Sequence, residues 1–168
     1  MALTTVPSAG AKLRASVLQS LMAERMPLIA RKTTNETVNN SSVLQNDDEI
    51  FLAVEASCVY HFELRFSSDS GTTPDLKHGW TYPTGTTIRW SGVDADTAGA
   101  VRITGGLTET SVPAVVGGTP SVFASYYSGV VITGVNAGTL QWQWAQNSAT
   151  GSNTIVQAGS YLLLQRVA

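Results

Sequence analysis

Large apolar residues alternate with polar ones through much of this chain. In Leu140-Gln141-Trp142-Gln143-Trp144 a strand would send Leu140 and two indoles to one face and two amides to the other. Tyr60, Phe62, Leu64 and Phe66 repeat the pattern, with His61, Glu63 and Arg65 opposite. Ile50, Leu52 and Val54 show it more briefly. Shorter runs at 77–82, 86–90, 101–104, 121–127, 130–135, 139–145 and 154–167 also fit strands. Polar, Gly- and Pro-bearing stretches separate them: Asn46-Asp47-Asp48, residues 67–75, Pro83-Thr84-Gly85, 91–99 and 147–153. Eight to ten short strands at this spacing predict a mainly β fold, an antiparallel jelly-roll-like β-sandwich.

One segment follows a different period. Across 11–25, Leu13, Val17, Leu18, Leu21 and Met22 recur at helical spacing, while Lys12, Arg14, Gln19 and Glu24 lie off that stripe. Ser8 is a candidate cap, and Pro27 stops the run because the residue before a proline avoids helical angles. The expectation is one N-terminal amphipathic helix behind a short arm. Residues 1–34 would serve as anchor or oligomerisation segment and 35–168 as the β-sandwich domain. The apolar stripe needs a surface to pack on: its own β domain, a second copy, or a host assembly.

Charge sharpens this division. The net charge of −2 combines +4 over residues 1–34 with −6 over the remainder. A basic segment suits an acidic partner surface, and a solvated helix face explains it equally well. No dense Lys/Arg cluster with interleaved aromatics is present, which argues against nucleic-acid binding. Charged residues form only 13% of the chain, against roughly 25% in ordinary soluble domains. That sparsity leans toward a protein that buries surface in an assembly. Apolar runs are too short to cross a bilayer, so no membrane partner is expected. Lys12 and Arg14 interrupt any signal-peptide core, so a soluble chain made in the host cytoplasm and not Sec-exported is expected.

Candidate chemistry is thin. Neither His61 nor His78 sits in a recognisable nucleophile or metal motif, and both read as surface or interface polar residues. Asp47-Asp48-Glu49 and the pair Asp94 and Asp96 could face a Ca²⁺ ion, but the glycine and distal Glu of a calcium loop are missing, which favours solvated turns. Gly105-Gly106 and Gly117-Gly118 precede no Lys-Ser/Thr helix start and read as turns. No enzyme, cofactor or metal site is expected. Cys58 has no partner for an internal disulfide and falls in phase with Tyr60, as a small buried hydrophobe would. Trp80, Tyr82 and Trp90 could form a sugar-stacking platform, although strand alternation explains them as packing residues.

An ordered set of segments carries a resemblance. It comprises Ala11-Lys12-Leu13-Arg14-Ala15-Ser16-Val17-Leu18, then Pro27-Leu28-Ile29-Ala30-Arg31-Lys32-Thr33, then Ser42-Val43-Leu44-Gln45-Asn46-Asp47-Asp48-Glu49-Ile50. It closes with Leu140-Gln141-Trp142-Gln143-Trp144-Ala145-Gln146-Asn147 and Val156-Gln157-Ala158-Gly159-Ser160-Tyr161-Leu162. Together they resemble a group of small virion proteins of tailed phages, mostly of actinobacterial hosts. The resemblance implies a homotrimer of β-rich domains on the virion. Its place would be the capsid surface, as a decoration protein or head fibre beside the major capsid protein, or the tail, as a minor tail or fibre-tip protein. It supplies no catalytic residues. In the capsid version Leu13, Arg14, Val17, Leu21, Arg25, Arg31 and Lys32 would face a partner or neighbouring copies. In the tail version Trp80, Tyr82 and Trp90 would contact host surface glycans.

Overall fold

The computed structural model describes residues 15, 16, 18, 26–71, 73–109, 114–119 and 121–168. From Leu28 onward their elements are strands, while Ala15, Ser16 and Leu18 are helical. The helix expected over 11–25 lies outside the described residues apart from 15, 16 and 18, and so do Leu13, Arg14, Val17, Leu21 and Arg25.

The strands are β1 (Leu28–Arg31), β2 (Glu36–Val38), β3 (Gln45–Val54), β4 (Val59–Asp69), β5 (Leu76–Thr81) and β6 (Thr87–Ala95). They continue as β7 (Val101–Thr108), β8 (Ala114–Val116), β9 (Phe123–Ile132), β10 (Gly138–Gln146), β11 (Thr154–Val156) and β12 (Tyr161–Arg166). One sheet runs β1-β12-β4-β9-β6-β7, with β11 joining β2 to the end of β4; the other runs β3-β10-β5-β8. The pairs are antiparallel. The chain changes sheet at almost every connection from β3 onward, and only the β6–β7 hairpin and the β11–β12 connection stay on one side.

Alternation is what makes this a sandwich. In β4, Tyr60, Phe62, Leu64 and Phe66 are buried between the sheets, and in β10 Leu140, Trp142 and Trp144 answer them from the other side. Aromatic edges lock the two layers together: Phe62 meets Trp80 at 5.4 Å and 71°, and Phe66 meets Trp142 at 4.8 Å. Such pairs add about 0.5–1.5 kcal/mol each beyond the area they bury. Cys58 is buried at the mouth of the same face, as its phase indicated.

Several boundaries differ from the sequence pattern. The 77–82 and 86–90 runs are β5 and β6, and Pro83-Thr84-Gly85 carries the chain from one sheet to the other instead of closing a hairpin. The stretches expected as loops at 67–75 and 91–99 begin inside β4 and β6. The expected strands 121–127 and 130–135 are one strand, β9, running through Ser128-Gly129. Gly129 is there for close approach. A Cβ at that position would lie 2.1 Å from the Arg89 carbonyl oxygen and 2.7 Å from the Phe62 ring. Gly129→Ala should therefore destabilise the protein by about 1–3 kcal/mol through overpacking. An unchanged melting temperature would contradict that packing.

Candidate functional site

Residues 32 and 47 were expected on the surface, and the structure puts both inside. After β1 the chain turns, and the Lys32 backbone exchanges hydrogen bonds with Ser160 and Gly159 at 2.8 Å each. This aims the side chain inward, where it is 0% exposed. Its ammonium donates to Asp47 Oδ2 at 2.9 Å and to Glu36. Trp144 Nε1 donates to the same Asp47 oxygen at 3.1 Å, and Asp47 Oδ1 accepts the backbone N–H of Glu49 at 3.0 Å and of Ile50 at 2.8 Å. Burial works against the Lys32 charge, but its bonds to Glu36 and Asp47 outweigh it and raise its pKa. Lys32 is thus a structural ion, not a partner contact, and Asp47 is a buried member of β3, not a solvated turn residue. Of the expected interface residues, Arg31 is described and exposed on β1.

A second buried cluster gathers around His78, which was also expected at the surface. It is 0% exposed, on the inward face of β5 among Phe66, Tyr127 and Trp142. Trp142 Nε1 donates to His78 Nδ1 at 3.2 Å, which assigns the imidazole proton to Nε2. Burial lowers the His78 pKa to about 4, against a weaker opposing pull from Asp94. Asp94 is likewise buried, in β6 instead of a loop. It accepts hydrogen bonds from the Tyr127 hydroxyl, from Thr104 Oγ1 at 2.8 Å and from Arg102 Nε at 2.6 Å. Burial first, then the bond to Asp94, drives the Tyr127 pKa far upward. Asp96 caps its own turn, accepting from Ala98 and Ala100 N–H at 2.9 Å. The D-x-D pair is therefore split between core and turn. Among the described residues no three His, Cys, Asp or Glu side chains gather as metal ligands. The His78 cluster is closed off from any substrate by its own packing.

The proposed sugar platform does not form. Trp80 and Trp90 are 5% and 3% exposed, facing inward from β5 and β6. Tyr82 is half-buried, with its hydroxyl donating to the Glu109 carbonyl at 3.4 Å. Stacking on these rings would require opening the sandwich.

What the sheets present outward is different. On the outer face of the larger sheet, Arg31 of β1 pairs in register with Tyr161 of β12, Tyr161 with Arg65 of β4, and Arg65 with Tyr126 of β9. Four strands thus align arginine, tyrosine, arginine, tyrosine in one row. The Arg65 guanidinium carbon lies 4.9 Å from the Tyr126 ring centroid, a cation–π contact. Arg65, Tyr126 and Tyr161, with Ser67, Ala124 and Ser160, line an open groove of about 380 Å³. Further down this face His61 Nε2 lies 3.0 Å from Ser128 Oγ, and here the expected surface position holds. Beyond Tyr126 the row continues into apolar residues: Val93 of β6 and Ile103 of β7. β7 ends the sheet, and its Val101 and Ile103 are 67% and 84% exposed.

No family model matches the chain, and no curated protein matches its sequence. Among solved structures, the tripod (BppUct-A-L) from the baseplate of bacteriophage Tuc2009 aligns at 12% identity and TM-score 0.38, covering 97% of this chain and 73% of that one. A CocE/NonD family hydrolase from Staphylococcus aureus, SACOL2612, aligns at 9% identity and TM-score 0.32, and this chain spans 37% of its length. The infectious bursal disease virus Gx strain structure aligns at 12% identity and TM-score 0.24, with 40% of that chain covered. Likeness at these scores assigns neither family nor activity.

Proposed function

We propose that this chain is a non-enzymatic structural protein of a tailed-phage virion, a homotrimer that decorates the capsid as a cement protein or head fibre. Its partners are copies of itself and the major capsid protein. The observation that carries the assembly role is the bare outer strand β7, with Val101 and Ile103 exposed at the open edge of the larger sheet. An apolar edge strand left in water invites pairing with another chain, and closed cyclic packing covers it on every copy at once. The strand order adds support: β1-β12-β4-β9 facing β3-β10-β5-β8 is an eight-strand double Greek-key order, the jelly roll used by viral shells and lectins. The anchor to the shell is the segment ahead of β1, residues 1–27, with Lys12, Arg14 and Arg25 against Glu24 alone; the expected boundary at 34 moves back because β1 and the buried Lys32 belong to the sandwich.

The trimer is tested by light scattering of the purified full chain. We expect a mass of three chains for the wild type and a shift toward monomer for Ile103→Lys. A wild-type monomer at micromolar concentration sinks the oligomer. Location is tested by immunogold labelling of intact virions, where head labelling is expected. Tail labelling would select the second reading, a minor tail or fibre-tip protein that contacts host glycans. The Arg/Tyr row on the outer face favours that second reading.

A further inference from the structure

We propose that the row Arg31–Tyr161–Arg65–Tyr126 is a binding site for an anionic saccharide, a sugar chain bearing a carboxylate or a phosphate. It deepens the glycan-contact reading, and its titration tests the row itself, apart from where on the virion the protein sits.

Charge is the first argument. Neither Arg31 nor Arg65 has a carboxylate partner among the described residues, whereas Arg102 and Arg166 both do. A guanidinium presents a planar fork of donors that matches a carboxylate or phosphate with two parallel bonds. Two such forks stand on one face, separated by a single strand, with Tyr161 between them in register.

Shape is the second. Directly opposed residues on neighbouring strands lie about 5 Å apart, so four strands give a row of about 14 Å. That is on the order of a trisaccharide in length. The open groove of about 380 Å³ holds the Arg65–Tyr126–Tyr161 part of the row, and the small residues Ala124, Ser67 and Ser160 keep its floor low. Tyr126 and Tyr161 are half-buried, so each offers an apolar ring face with a hydroxyl at its end, which suits the C–H face and hydroxyls of a sugar ring. Arg65 is already stacked on Tyr126, which holds its guanidinium over the groove at little further entropic cost.

The neighbouring charge sets the kind of anion. Glu63 faces outward two residues from Arg65 on β4, in the next row, opposite Ser128 and Leu163. Its carboxylate repels a dense polyanion while accepting sugar hydroxyl bonds. The face therefore suits a saccharide with spaced charges, not a nucleic acid backbone with one charge per residue.

The test is calorimetric titration of the full chain with tri-galacturonate, glucose 6-phosphate and, as the neutral control, maltotriose. We expect at least one of the acidic sugars to bind and maltotriose to bind at least tenfold more weakly. The carboxylate and phosphate arms identify which anion the forks prefer. Arg65→Ala and Arg31→Ala should each weaken the acidic sugar tenfold or more. Arg89→Ala, an exposed arginine on β6 outside the row, should leave it unchanged. Circular dichroism confirms that these surface variants are folded. Equal binding of maltotriose, equal loss in Arg89→Ala, or no binding of either acidic sugar at millimolar concentration would overturn the site. Loss of the trimer would not, because the row lies within one copy.

Discussion

Asp47→Ala should cost the fold about 3–5 kcal/mol, the range for breaking a buried ion pair from one side. The substitution removes one carboxylate from Lys32, whose ammonium stays buried with Glu36 as its remaining acid. It also strands Trp144 Nε1 at the centre of the core, together with the backbone N–H groups of Glu49 and Ile50. Urea denaturation followed by tryptophan fluorescence reads the loss directly. Asp47→Asn should rescue little, since its amide oxygen can serve Trp144 or the Glu49 and Ile50 N–H groups but its NH2 then faces the other donors, and Lys32 loses a counter-charge. Replacing all three ions, Lys32→Met with Glu36→Gln and Asp47→Leu, should cost less than Asp47→Ala alone, because no unpaired charge is then buried. A loss below about 1 kcal/mol for Asp47→Ala would mean that the pair is solvated, as exposed pairs are.

The second large effect is a loss of stability in mild acid, centred on His78. In the fold this imidazole resists protonation until about pH 4, while its ordinary value is 6.5. Between those values the unfolded chain takes up a proton that the folded chain refuses. Stability is therefore full above pH 6.5, falls as the pH drops toward 4, and loses nothing more from this group below that. The whole fall is about 3 kcal/mol, because each tenfold weakening of proton affinity is worth about 1.4 kcal/mol. Carboxylates contribute near the lower end, so the clean measurement is a comparison. Chemical denaturation of the wild type and of His78→Gln at about pH 7, 6 and 5 should give a steeper slope for the wild type. Parallel slopes would show that His78 titrates normally and that its surroundings admit water.

How far the chain could be read in advance depends on the range of the signal. Alternation is local, so β3, β4, β10 and β12 were legible from residues such as Phe62, Leu64, Trp142 and Leu162. The inward phase of Trp80 and Trp90 was legible as well, since Leu76, His78 and Trp80 alternate onto one face of their strand and Ile88 and Trp90 onto one face of theirs; the same alternation also places His78 inside. The extent of β9 was hidden because Gly129 looks like punctuation when only neighbours in sequence are considered, and only the Arg89 carbonyl beside it shows its purpose. The fate of Lys32 was hidden for a similar reason. It stands in a basic segment, and its partner Asp47 stands in an acidic one, each resembling a solvated run until strand pairing brings them together. The Arg31–Tyr161–Arg65–Tyr126 row has no trace in sequence at all. Its four members are scattered along the chain, and only the register of three strand pairs makes them neighbours.

The β6–β7 hairpin enters and leaves the same side of the sandwich without changing the order of the other strands. Its inner strand is tied into the frame, since Ile88 and Trp90 of β6 are buried in the core and β6 pairs along β9, whereas β7 touches the sheet on one side only. Substitutions at the exposed Val101 and Ile103 therefore leave the core untouched. In the proposed assembly, copies that differ at these two positions would stop recognising one another while their cores stay alike.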